Sequence, residues 1–264
     1  LGDAVAQGGG AFKFQLLGGA EHLGLQLVEV LLGHVGLLVA ADGLHSVVRQ
    51  HFGIEVTSHD YGQTAIVCNA DVERPTPHTA YERFTRDGPL AVLPLGGRRV
   101  VVVRSARTDD VATLMHLSDE AFGADVQQRF GLRLGRFGAL GERRAHPLAL
   151  NRAQSLIAPR TVLVGNAANT IHPNGAQGLN LGLRDVATLL ERIGNALTRG
   201  EDIGSPALLD DYARRRKPDQ DRTVRFSDGL ARAFGIDLGP LNALRGAALL
   251  ACDLLPPLKQ ALMW

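Results

Sequence analysis

Cysteine is almost missing from these 264 residues: Cys68 and Cys252 are the only two, with no CxxC pair. That count excludes a disulfide scaffold and a thiolate metal framework, and it fits a reducing, cytoplasmic setting. Both cysteines read as small buried hydrophobes. Aromatics make up 5 % of the chain and the net charge is +1. Neither a base-stacking surface nor a basic face for nucleic acid is therefore expected. No secretory leader is visible, and the chain begins at Leu1 rather than Met, as a fragment or trimmed product would. An unbroken membrane-length apolar run is lacking too. The nearest, residues 23–41, is interrupted by Gln26, Glu29 and His34 and reads as buried strand and helix.

What is present is glycine, 31 residues of it, and an apolar fraction of 45 %, enough for one large core or two small ones. VGLLVAADG (35–43) is a short apolar run stopped by Asp-Gly, the pattern of a strand buried on both faces. A helix is expected over LHSVVRQHF. YGQTAIVCNADVE (61–73) reads as a strand, and residues 80–106 as a meander with hairpin signals at Asp87-Gly88 and Gly96-Gly97. Residues 108–130 predict one helix and 144–151 another strand. TVLVG (161–165) is a second strand of the buried parallel type. From Gly178 on, Leu179, Leu183, Val186, Leu190, Ile193 and Leu197 recur at helical spacing and predict the apolar face of a helix. Residues 207–217 predict a further helix with Asp210–Arg214 and Asp211–Arg215 pairs, interrupted or kinked at Pro218. The leucine-rich tail, 238–264, reads as helical.

This order places a meander between two α/β pieces. The expected division is 1–55 and 153–264 for the α/β region with its C-terminal helices, and 56–152 for an antiparallel sheet. In open α/β sheets, ligands gather at the C-terminal strand ends. Two such ends are visible, Ala41-Asp42-Gly43 and Val164-Gly165-Asn166. Beyond the second, Gly175 and Gly178 permit close approach of backbone to a ligand, and the following helix start favours an anionic group. The Asn166 amide suits a ribose-like hydroxyl.

ADGLHSVVR resembles the A-D-G-x-x-S-x-x-R motif of flavin-dependent aromatic hydroxylases. GNAANTIHPNGAQGLNLGLRD is similar to the same group's G-D-A-A-H-x-x-x-P-x-x-G-Q-G-x-N motif. AYERFTRDGPLAVLPL and the DDYARRRKPD and LLPPLKQAL segments narrow the likeness to the ubiquinone-biosynthesis hydroxylases, the 2-octaprenyl-6-methoxyphenol hydroxylase type in particular. Asn166 stands where the motif usually has Asp, a variation familiar in the ubiquinone branch. The family's leading strand and G-x-G-x-x-G turn have no counterpart: Gly8-Gly9-Gly10 has Lys13 where the third glycine belongs. The likeness thus implies roughly a hundred further residues upstream, on the size of a two-region enzyme.

The fold implied is mixed α/β: an FAD/NAD(P)-binding doubly wound fold without its first βαβ unit, carrying an inserted antiparallel substrate sheet, as in p-hydroxybenzoate hydroxylase. The activity implied is hydroxylation of a phenol, prenylated in this branch, with FAD as cofactor and NAD(P)H and O2 as co-substrates, through a flavin hydroperoxide. Asp42 and Gly43 would line the flavin or the NAD(P)H approach. Gly165 and Asn166 would meet the ribityl and pyrophosphate region. Pro173, Gly175, Gln177, Gly178, Leu179 and Asn180 would face the isoalloxazine. Arg49 and Arg184 would brace these loops by ion pairs. The strands of 61–106 would floor the substrate pocket. No catalytic base is assigned, and no metal: His172 reads as structural. A soluble aromatic substrate, a non-catalytic subunit, peripheral membrane or biosynthetic-complex association and a homo-oligomer all stay open.

Overall fold

The computed structural model describes residues 35–75, 77–85, 88–173, 177–235 and 254–255. Gly8, Gly9, Gly10, Lys13, Gly175, Cys252 and nearly all of the leucine-rich tail lie outside them. Two compact units divide the chain. One takes the described residues up to His59 with Leu150–Val224; the other takes Asp60–Ala149 and the described residues from Arg225.

The first unit is built on a three-stranded sheet in the order β1 (Leu38–Ala40), β9 (Thr161–Leu163), β8 (Ile157–Ala158). β1 and β9 are parallel, with Val39 opposite Val162 and Ala40 opposite Leu163. Both faces of β9 are covered, as its unbroken apolar sequence requires. Val162 and Val164 pack with Leu189, Ile193, Leu209 and Tyr212, while Leu163 packs with Ala40, Val48, Ala153 and Ala168 on the opposite side. The helices of this unit are α1 (Val47–His51) and α4 (Gln177–Thr198), with α5 (Pro206–Gly235), which runs past the division at Val224. Tyr212 is fully buried and its hydroxyl donates to the Leu163 carbonyl at 3.2 Å.

The second unit is a twisted meander. β2 (Val56–Val72), β5 (Arg99–Arg107), β4 (Gly88–Gly96) and β3 (Tyr81–Thr85) pair antiparallel in that order, and β6 (Phe137–Leu140) adds to β2. β7 (Arg144–Ala153) is the other neighbour of β2, and the short β10 (Asn169–Thr170) pairs with its end in the first unit. Alternation decides which side of the sheet is core. Ile66, Cys68, Ala70, Leu90, Val100 and Val102 face α2 (Val111–His116) and α3 (Asp119–Phe130), meeting Leu114, Phe122 and Val126. The residues between them, Val67, Val101 and Leu93 among them, belong to the other side, where Leu93 and Leu95 are exposed. Arg104 is a charged member of the core side, 3 % exposed, and Asp125 of α3 accepts from its Nε at 2.7 Å.

Three expectations about helices are corrected. Residues 108–130 are not one helix: a 3-10 turn (Thr108–Asp110) leads into α2, Leu117 is extended, and α3 restarts at Asp119. Ser118 caps that restart by accepting the Ala121 N–H, with Asp119 and Glu120 in the first turn. In α4 the buried residues are Leu181, Asp185, Leu189, Ile193 and Ala196, whereas Leu179, Leu183, Val186, Leu190 and Leu197 are exposed. The inward face is therefore shifted around the axis from the expected one and contains a carboxylate. Pro218 does not interrupt α5, which continues to Gly235. Asp211 pairs with Arg214 and Arg215, at i,i+3 and i,i+4, and no Asp210–Arg214 pair forms among the described residues.

Candidate functional site

The parallel pairing of β1 and β9 sets two strand tips side by side, one strand spacing of about 4.8 Å apart. The ladder continues one step past the strands, with the Val164 N–H donating to Ala40 O at 3.0 Å. Beyond Ala40 the chain turns through Gly43, at φ +86°, into α1; beyond Val164 it turns through Gly165, at φ +59°, into a 3-10 turn (Gly165–Ala167). Both turns use left-handed backbone that glycine adopts without strain.

Asp42 closes the first turn by accepting the Val48 N–H on Oδ2 at 3.2 Å, and Ser46 Oγ accepts the Arg49 N–H at 3.0 Å. The other carboxylate oxygen, Asp42 Oδ1, is buried and accepts nothing among the described residues. Arg49 then joins the two tips. Its side chain is 7 % exposed; one terminal nitrogen donates to Leu44 O and the other to Ala167 O, each at 2.8 Å. Burial pulls this guanidinium below its ordinary pKa, and the Asp42 carboxylate acts in the opposite direction. Arg49 is a brace, as expected, but through carbonyls rather than an ion pair. Arg184 forms an ion pair, with Asp219 of α5 at 3.2 Å, and donates to Thr223, so it ties α4 to α5 rather than bracing the loops.

The second tip rests on α4. Gly182 lies so close that a Cβ there would stand 3.3 Å from the Gly165 Cα. A Cβ on Gly178 would meet Ile171 at an ordinary 3.8 Å, so the glycine that packing requires is Gly182. The Gly165 N–H donates to Asp185 Oδ2 at 3.1 Å, and Asp185 Oδ1 accepts from Arg216 Nε at 2.7 Å and Gln220 Nε2 at 3.0 Å. Burial opposes the charged form of Arg216, but bonds and attraction from Asp185 and Asp219 outweigh it and hold its pKa above the ordinary value. Gly182, Asp185, Arg216 and Gln220 were not legible as site residues. The one clue was the position of Asp185 at the end of the glycine-rich motif.

Among the expected contact residues, Asn166, Pro173, Leu179 and Asn180 are exposed, and Gln177 and Gly178 are half-buried at the start of α4. His172 is buried. Asp42, Gly43, Gly165 and Asn166 come together at the paired tips. This arrangement fits FAD: the buried, unmatched Asp42 Oδ1 is an acceptor waiting for a donor such as a hydroxyl, and the turns beside it are backbone without side-chain cover.

A family profile described as an FAD binding domain matches residues 34–227. The chain belongs to that family. It is 40 % identical over 227 residues to a ubiquinone hydroxylase, UbiL, of Rhodospirillum rubrum, covering 86 % of this chain and 53 % of that protein. It is 34 % identical over 243 residues to the 3-demethoxyubiquinol 3-hydroxylase of Escherichia coli, covering 91 % and 62 %. The solved structure of the OxyS anhydrotetracycline hydroxylase from Streptomyces rimosus superposes with a TM-score of 0.62 at 23 % identity, over 86 % of this chain and 44 % of that one, and shares the fold. The chain spans about half the length of the curated relatives it matches.

The second unit holds an open concavity of about 360 Å³ on β2 and β7, lined by Val67, Cys68, Asn69, Glu142, Arg144 and His146. Its charged lining does not suit a prenyl tail. No helix among the described residues is long and apolar enough to cross a membrane.

Proposed function

We propose that this chain carries the flavin-holding strand tips and the substrate sheet of an FAD-dependent, NAD(P)H-using monooxygenase that hydroxylates a polyprenylated phenol in ubiquinone biosynthesis. The observation that carries the reading is the pair of tips stapled by Arg49, with the buried, unmatched Asp42 Oδ1 on the first of them. The names of the relatives support the substrate class.

FAD, when bound, supplies the activation of O2 and the transfer of one oxygen to the ring. The chain supplies position. Asp42 accepts from a hydroxyl of the cofactor, Gly43 and Gly165 let its backbone pass close, and Asn166 offers an amide where the motif usually has a carboxylate. Pro173, Gln177, Gly178, Leu179 and Asn180 flank the ring system, and the N-terminus of α4 favours negative charge there. On the second unit, the open side of the meander, with Val101, Leu93 and Leu95, floors the aromatic substrate. Residues 1–55 and 153–264 go to the flavin region and 56–152 to the substrate region. The substrate's prenyl tail makes peripheral contact with a membrane part of this reading.

The test is reconstitution with FAD followed by turnover. A yellow protein absorbing at about 450 nm that hydroxylates prenylated phenols with NAD(P)H supports the reading. Turnover of tail-less phenols alone would overturn the substrate class, and a colourless protein that FAD does not stabilise would overturn the whole.

A further inference from the structure

The turn at Gly165 is held by a carboxylate that no solvent reaches. Asp185 is 0 % exposed and accepts three hydrogen bonds, from the Gly165 N–H, Arg216 Nε and Gln220 Nε2. Burying a carboxylate is costly unless its lone pairs are matched, and here three donors from two segments, the Gly165 turn and α5, match them. Clamping α4 to α5 does not need this arrangement. Arg184–Asp219 and Arg192–Asp211 already link the two helices nearer the surface. What Asp185 adds is the third bond, to the backbone of the flavin motif. Gly165 leaves the β9 ladder in a left-handed conformation, and the Asp185 carboxylate is the acceptor for its N–H.

We propose that Asp185 is a positioning residue for the cofactor: it fixes the orientation of the Gly165–Asn166 peptide, and Arg216 and Gln220 of α5 fix the carboxylate in turn. The inference rests on the reading that the strand tips hold FAD. Asp185 itself touches no ligand. It commits the Gly165 N–H inward, so that exposed Asn166 is presented at the outer side of the turn. Gly182, one turn earlier in α4, allows the helix to come close enough for the bond to form.

The test uses Asp185→Asn, which keeps the volume, and Arg216→Lys, which keeps a cationic donor. Four quantities are read on the full chain: FAD affinity by fluorescence quenching, the visible circular dichroism of bound flavin, the Tm without FAD, and hydrogen exchange at the Gly165 amide without FAD. Loss of one hydrogen bond to a charged group predicts FAD affinity down by about tenfold for Asp185→Asn, with an altered flavin band and Gly165 exchange faster by at least about tenfold. Arg216→Lys keeps affinity within about threefold. A double variant, Asp185→Leu with Arg216→Met, replaces the buried pair by apolar side chains and keeps the helices packed. It shows the same loss of FAD affinity at a near-native Tm, which covers the case of a poorly folded Asp185→Asn. The inference is overturned if Asp185→Asn lowers Tm yet binds FAD within about twofold of the native chain with an unchanged band, or if Gly165 exchange does not move. Should the native chain take up no FAD, the strand-tip reading fails by itself, and the Gly165 exchange decides this one.

Discussion

The guanidinium of Arg49 reaches the carbonyl of Ala167 at 2.8 Å across 118 residues of sequence, while its other nitrogen holds Leu44 O at the same distance. Two motifs remote in the chain are thereby one object in space. The bonds go to main-chain carbonyls, so the staple fixes backbone rather than balancing charge.

Replacing Arg49 by Lys keeps the charge and cannot span both carbonyls. The expected result is FAD affinity lower by about tenfold and a stability loss of about 2 kcal/mol, because a carbonyl is left unmatched in a buried position. Fluorescence titration and urea unfolding measure the two effects. Native affinity in Arg49→Lys would show that the tips hold together without it.

Two glycines of one helix separate packing from propensity. Ala at Gly194, where nothing lies within 4 Å of the new Cβ, gains about 1 kcal/mol from helix propensity. Ala at Gly182 starts with the same gain but presses its Cβ toward the Gly165 Cα at 3.3 Å, and main chain gives way poorly. Gly182→Ala is therefore expected to lower Tm and to weaken FAD binding, and Gly194→Ala to raise Tm. A gain at both positions would mean that the turn has slack.

The second unit has an acid-sensitive pair. Burial raises the pKa of Asp125, but hydrogen bonds and attraction from Arg104 and Arg129 outweigh it and hold the carboxyl below its ordinary value. A carboxylate depressed in the folded state contributes stability that is complete above its unfolded pKa of about 3.9 and is lost as pH falls through the lower folded value. Asp125→Asn removes the carboxylate to which buried Arg104 donates at 2.7 Å and is expected to cost about 3 kcal/mol at pH 7. The gap between native and variant should narrow below about pH 4. Urea midpoints across that range test the sign, and a gap independent of pH would remove the pair from the account.

Gly88 opens β4 at φ +118°, and a Cβ there would lie 2.7 Å from Ser105 Cβ. Gly88→Ala thus meets both backbone strain and a clash, with an expected cost of about 3 kcal/mol. Gly97→Ala, in the next turn at φ +56° with free space around it, should cost about 1 kcal/mol. Equal costs would mean that conformation alone matters at both turns.

The parts legible beforehand are those whose causes are local. The tip at Asp42-Gly43 sits within a few residues of its partner Val48, and the strand of 161–163 is buried because both of its faces are covered. Hairpin positions followed from turn glycines, with Thr85 opposite Gly88 and Gly96 opposite Arg99. The inward side of α4 was misjudged because apolar periodicity cannot reveal a buried Asp185 whose donors lie 20, 31 and 35 residues away. The break at Leu117-Ser118 could have been seen, since Ser-Asp-Glu is a helix-start signal. Pro218 stays within α5 although it lacks an N–H. Arg216, Gln220 and Thr223 on either side of it are buried and bonded, and they hold the helix through the gap.

Cys68 sits inside the meander core at 3 % exposure, and burial pushes its thiol toward the unreactive protonated form. Alkylation must wait for that sheet to open. In a chain with Cys252 replaced by serine, the pace of labelling becomes a clock for one half of the molecule alone, ticking independently of any colour reported from the other.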